Sequence, residues 1–138
     1  MMVRLSLSIL CLFLAAACSR QEGTTALPLP EVPPAKLVSF NGTLQPQATD
    51  TYSFTVSQSG YVQATLVGLG APPSTAVALA IGTASTTGVC EASYSVTTTA
   101  GPSAQIIGTG LAGNLCITIH DVGNLTAPAL YTITVASS

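Results

Sequence analysis

From Lys36 onward the chain alternates apolar and polar residues in short runs. "TYSFTVS" puts Tyr52, Phe54 and Val56 on one side and Thr51, Ser53 and Thr55 on the other. Side chains that alternate with period two belong to a strand with one buried face. "VSFNGTL" does the same with Val38 and Phe40, and "YVQATLVGL" sets Val62, Ala64 and Leu66 against Tyr61, Gln63 and Thr65. "VALAIG", "CEASYSV" and "AQIIGTGL" follow. "LCITIHDV" turns Leu115, Ile117 and Ile119 inward and Cys116, Thr118 and His120 outward, and "YTITV" turns Tyr131, Ile133 and Val135 inward. Turn signals separate the runs: Asn41-Gly42, Ser59-Gly60, Pro72-Pro73, Gly101-Pro102, Gly113-Asn114 and Gly123-Asn124. About seven or eight short strands broken this regularly predict an all-β, antiparallel sandwich over residues 36–138. No long helix and no internal repeat is expected.

The first residues follow a different pattern. Arg4 precedes an apolar run, Leu5 to Leu14, and small residues end it at "AAACS". A bilayer span needs about 20 apolar residues, so this run predicts a signal peptide over residues 1–17. Residues 18–35 contain Pro28, Pro30, Pro33 and Pro34. Prolines this dense exclude helix and ladder and favour an extended spacer.

Composition narrows the function classes. Of 138 residues only 6% are charged, against about 25% in an ordinary domain. The net charge is −2 with no basic cluster, so nucleic acid is not an expected partner. Polarity comes chiefly from Thr, Ser, Gly and Gln.

The candidate chemistry is sparse. "CITIHD" holds the single histidine, His120, between Cys116 and Asp121. On a strand, Cys116 and His120 lie about 13 Å apart, and Asp121 points to the opposite face. A thiolate–imidazole pair needs contact at about 3 Å. The triplet is therefore expected to be a strand end, with Asp121 and Asn124 bonding a local turn. Asp50, Glu91 and Asp121 are too isolated in sequence to suggest a glycosidase pair. "GTGLAG" opens no helix, so it reads as a bulge or turn rather than a phosphate loop. Two cysteines without CxxC spacing or a second histidine make no zinc site. Cys90 and Cys116 are instead expected to form a disulfide in an oxidising compartment, which would stabilise by about 3 kcal/mol. Catalytic residues, metal ligands and cofactors are not expected. Tyr61 and Tyr94 are the candidate ligand-facing aromatics.

Two resemblances add to this reading. Leu14-Ala15-Ala16-Ala17-Cys18 resembles the lipobox of bacterial lipoproteins. It implies that Cys18 carries diacylglycerol and that the protein is anchored to the cell envelope. Ser19 after the cysteine implies the outer membrane; a soluble secreted protein is the alternative. "FNGTLQPQATDTYSFTV", with Gly42, Leu44, Asp50, Tyr52, Phe54 and Val56, resembles the opening of the bacterial pre-peptidase C-terminal domain. "GYVQATLVGL" and "LCITIHDVGNLTAPALYTITV" fit its later strands. This second resemblance implies a jelly-roll-like, non-catalytic sandwich that accompanies envelope proteins. Some relatives bind collagen or polysaccharide. Where the family often has an acidic pair before the tyrosine, this chain has Asp50 alone. The resulting expectation is an envelope protein with a structural or protein-interaction role, its partners the membrane and an envelope protein or polysaccharide. A surface-displayed carbohydrate-binding module is the alternative, and a secreted hydrolase a distant third.

Overall fold

The computed structural model describes residues 35–138. The signal segment, Cys18 and the proline-rich stretch up to residue 34 lie outside the described residues. Six antiparallel strands form the domain: β1 (Lys36–Leu44), β2 (Thr49–Leu69), β3 (Val77–Ala84), β4 (Cys90–Thr98), β5 (Ile106–His120) and β6 (Ala129–Ser137). No helix occurs among the described residues. The spatial order is β1-β6-β2-β5-β3-β4. Pairing is nested: first with last, second with fifth, third with fourth. This is the connectivity of one long hairpin, its tip between β3 and β4, rolled up in the manner of a jelly roll.

The count is six rather than seven or eight because two expected turns are kinks inside long strands. "TYSFTVS" and "YVQATLVGL" are one strand, β2, whose register slips between Val56 and Gly60 and again at Tyr61. "AQIIGTGL" and "LCITIHDV" are likewise joined in β5, where Gly110 and Gly113 take φ of 73° and 89°. The kinks face each other, since Val56 pairs with Gly113 and Gly60 with Leu111. Glycine inside a strand accommodates such a bulge because it has no Cβ to oppose positive φ. The sheet therefore bends at one place across both strands and folds onto itself.

The bend creates two layers. One holds β1, β6, the second half of β2 and the start of β5; the other holds the first half of β2, the end of β5, β3 and β4. Phe40 of β1 stacks on Tyr52 of β2 with ring centroids 4.9 Å apart, and lies 6.1 Å from Phe54, although β1 and β2 share no ladder. Val62, Leu66 and Ile133 from one layer and Leu79, Ile81, Ile117 and Ile119 from the other are fully buried. A flat sheet without helices leaves both faces wet, so this burial requires the fold-over. The inward residues expected of β2, β5 and β6 are the ones found in the core. Among the described residues the buried core lies within 44–135, and they belong to one compact unit with its own core, so the described part is expected to fold on its own.

Candidate functional site

The side chains that carry chemistry elsewhere are tied into structure here. Cys90 and Cys116 are disulfide-bonded with Cα atoms 5.7 Å apart, inside the usual range of about 4.4–6.8 Å. The bond joins β4 to β5 across the intervening β3, where strands two places apart would normally lie about 9.5 Å apart. The start of β4 reaches β5 by leaning over Gly82, at whose position a Cβ would meet the Glu91 carbonyl oxygen. Cys116 keeps the outward parity of its strand and is buried under this bridge.

His120 is exposed at the end of β5. Its Nδ1 lies 2.8 Å from Thr49 Oγ1 and 3.1 Å from the Ala48 carbonyl oxygen. Either ring tautomer makes one of these bonds: an Nδ1–H donates to the carbonyl, and a bare Nδ1 accepts from the threonine hydroxyl. Among the described residues no thiol or carboxylate bonds to the ring.

Asp121 is buried, which its place in a turn did not suggest. Its Oδ1 accepts from the backbone N–H groups of Gly123, Asn124 and Leu125 at 2.9–3.1 Å. Its Oδ2 accepts from Gln47 at 2.8 Å. Gln47 has φ of 60°, uncommon outside glycine, and this bond secures the β1–β2 turn in that conformation. The Gln47 N–H lowers the Asp121 pKa most; burial opposes it, and the other three N–H groups add to the lowering. Asn124 Nδ2 donates to the Ala76 carbonyl at 2.9 Å. Asp121 and Asn124 thus bind together three connections at one end of the sandwich.

Asp50 belongs to a chain of hydroxyls. Tyr131 donates to its Oδ2 at 2.7 Å. The Tyr52 hydroxyl lies 2.7 Å from that of Tyr131 and 3.1 Å from the Asn41 carbonyl, and its one proton is shared between these acceptors. Gly42 makes room, since a Cβ there would collide with both hydroxyls. The Tyr131 pKa is raised far above its ordinary value, first by burial and then by Tyr52 and Asp50. Tyr131 is therefore a fixed neutral donor.

Glu91 does not converge with Asp50. Asp50 lies opposite Ile119 of β5, whereas Glu91 lies opposite Thr83, which faces Leu115 of the same strand. Four residues along a strand separate those positions, about 13 Å. Among the described residues, no group of three or more His, Cys, Asp or Glu side chains is placed to hold a metal ion. A shallow cleft of about 220 Å³ lies at the β2 bend, lined by Lys36, Thr55, Ser57, Gln58 and Ser138 among others, with Lys36 its one charged side chain.

Tyr61 and Tyr94 do not share a platform. Tyr61 is 59% exposed on the outer face of β2. Tyr94 is half-buried against Gly108, and its hydroxyl bonds the backbone of Thr109. Strand parity alone leaves Tyr94 open as a ligand contact; the fold-over turns it between the layers.

Apart from the exposed Lys36 and Glu91, the outer faces of the described residues are neutral. On one layer Leu37, Ala136, Gln63 and Ile107 lie side by side across four strands. Ser39, Thr134 and Thr65 form the next row. On the other layer the rows are Thr49, His120, Ala78 and Thr97, and Thr51, Thr118, Ala80 and Ser95. The sequence contained these rows as outward parity, but their alignment depends on the register. No protein-family model matches this chain, and no curated protein is significantly similar to it.

Proposed function

We propose that this protein is a non-catalytic, lipid-anchored envelope module that contacts an envelope protein or matrix component through its neutral outer faces. The supporting observation is the division of labour among side chains. Asp50, Asp121, His120 and the two cysteines of the folded part each serve a structural bond, while uncharged hydroxyl, amide and small apolar groups form the outer rows. A hydrolase needs an acid–base pair or an activated nucleophile free to meet substrate. An adhesive surface needs neither.

The anchoring part rests on the lipobox-like Leu14–Cys18 stretch, and the envelope role on the resemblance to the pre-peptidase C-terminal domain. Metabolic labelling with a palmitate analogue tests the anchor. Label should enter the wild type and be lost in Cys18→Ser; equal labelling, or a free mature N-terminus elsewhere, rejects it. The carbohydrate-module alternative is favoured by one feature, the exposed Tyr61 beside Gln63 and Thr109. An apolar ring edged by hydroxyl and amide groups suits a sugar face. Under that reading Tyr61→Ala weakens retention on a neutral polysaccharide column. Under the protein-interaction reading no such column retains the protein.

A further inference from the structure

A folded-over sheet leaves unpaired backbone along its outer strands, and such edges add strands from other molecules unless they are guarded. The usual guards are charged side chains, prolines and bulges. This domain has few charges to use: its described residues carry Lys36, Asp50, Glu91 and Asp121 and no other charged side chain. None lies on residues 106–111, the part of β5 that pairs with β2 but has no partner on its other side among the described residues. No proline lies there either.

We infer that Tyr94 guards this edge. Its hydroxyl donates to the Thr109 carbonyl and accepts from the Thr109 N–H, both at 3.3 Å. One hydroxyl has one proton and free lone pairs, so both bonds form at once. The pair of groups it closes is the pair a neighbouring strand residue would use. Gly108 makes this possible, because the Tyr94 ring lies where a Cβ would sit, 2.9 Å from it. At the opposite edge of the same layer the Tyr52 hydroxyl meets the Asn41 carbonyl of β1 in the same way, with a shared proton. Tyrosine hydroxyls reaching from one layer to an edge site on each side of the other stand in there for the charges this domain lacks.

The test uses residues 35–138 with the disulfide intact. In the wild type, the Thr109 amide should exchange with solvent as slowly as amides within the ladders, although no described strand lies on its outer side; exchange at the rate of a free edge amide overturns the proposal without any variant. Tyr94→Phe keeps the ring and removes the hydroxyl. Light scattering should show self-association at concentrations about tenfold or more below the wild type's threshold, the scale of two lost hydrogen bonds. Amides 107–111 should become protected as it associates. Thr109→Pro in the Tyr94→Phe background removes the donor and should restore the monomer. Tyr131→Phe, which removes the Asp50 bond and leaves the guards, should stay monomeric. A folded Tyr94→Phe that remains monomeric across the same range, or that associates without change at 107–111, overturns the inference.

Discussion

Asp121 shows how a single side chain can look catalytic in sequence and be structural in space. A carboxylate beside the single histidine invites a functional reading, but four backbone N–H groups use its oxygens. Those bonds favour the ionised form and depress its pKa in the folded state. The group therefore contributes stability at pH values above its unfolded pKa of 3.8, and that contribution is lost as pH falls through the folded value. Asp121→Asn is expected to lower Tm at neutral pH and to flatten the acid limb of a plot of Tm against pH. Tyr131 has the opposite sign. Its raised pKa means its contribution is complete below the unfolded value of 10 and declines as pH rises above it. Tyr131→Phe should lower Tm at pH 7 and lose part of the wild type's fall above about pH 10. Thermal unfolding followed by near-ultraviolet circular dichroism measures both.

At the scale of elements, the disulfide and Gly82 act as one unit. Cys116→Ser is expected to cost about 2–4 kcal/mol in denaturant unfolding, since the bond closes a loop spanning 26 positions. Gly82→Ala should destabilise by about 1–3 kcal/mol and slow oxidative closure, because a Cβ there meets the Glu91 backbone rather than a movable side chain. Thiol titration of the two proteins after air oxidation separates them from a merely loosened hairpin. Strand faces were legible because alternation is local: Leu115, Ile117 and Ile119, or Tyr131, Ile133 and Val135, follow from period two alone. Strand ends were not. Ser59-Gly60 and Gly113-Asn114 have the composition of turns, and whether glycine there ends a strand or kinks it depends on what lies opposite. Since Val56 faces Gly113, the kinks match and both strands continue. The position of Tyr94 was hidden for the same reason: its neighbours are brought by the fold-over, 14 or 15 residues away in sequence at Gly108 and Thr109. The Cys90–Cys116 pairing was legible from the cysteine count and the expectation of an oxidising compartment, but not its route across β3.

Over the whole molecule, scarcity of charge is the feature that links fold, edges and function. A neutral surface gives little long-range steering and little screening by salt. Association through it should rest on apolar contact and hydroxyl or amide hydrogen bonds, and should persist at high ionic strength. The most direct measurement is retention of residues 35–138 by isolated peptidoglycan and by isolated exopolysaccharide or envelope protein fractions, at low salt and at about 1 M salt, where the Debye length is about 3 Å. The wild type is expected to be retained by one of these fractions at both salt concentrations without releasing any soluble fragment from it. A doubly charged face, Ser39→Lys with Gln63→Lys, should lose retention by about tenfold or more while keeping its Tm, because both positions are exposed and not paired with each other, and desolvating an unpaired charge costs more than one hydrogen bond returns. Retention that vanishes at high salt, retention unchanged by the charged face, release of hydrolysis products, or no retention by any fraction would contradict the account.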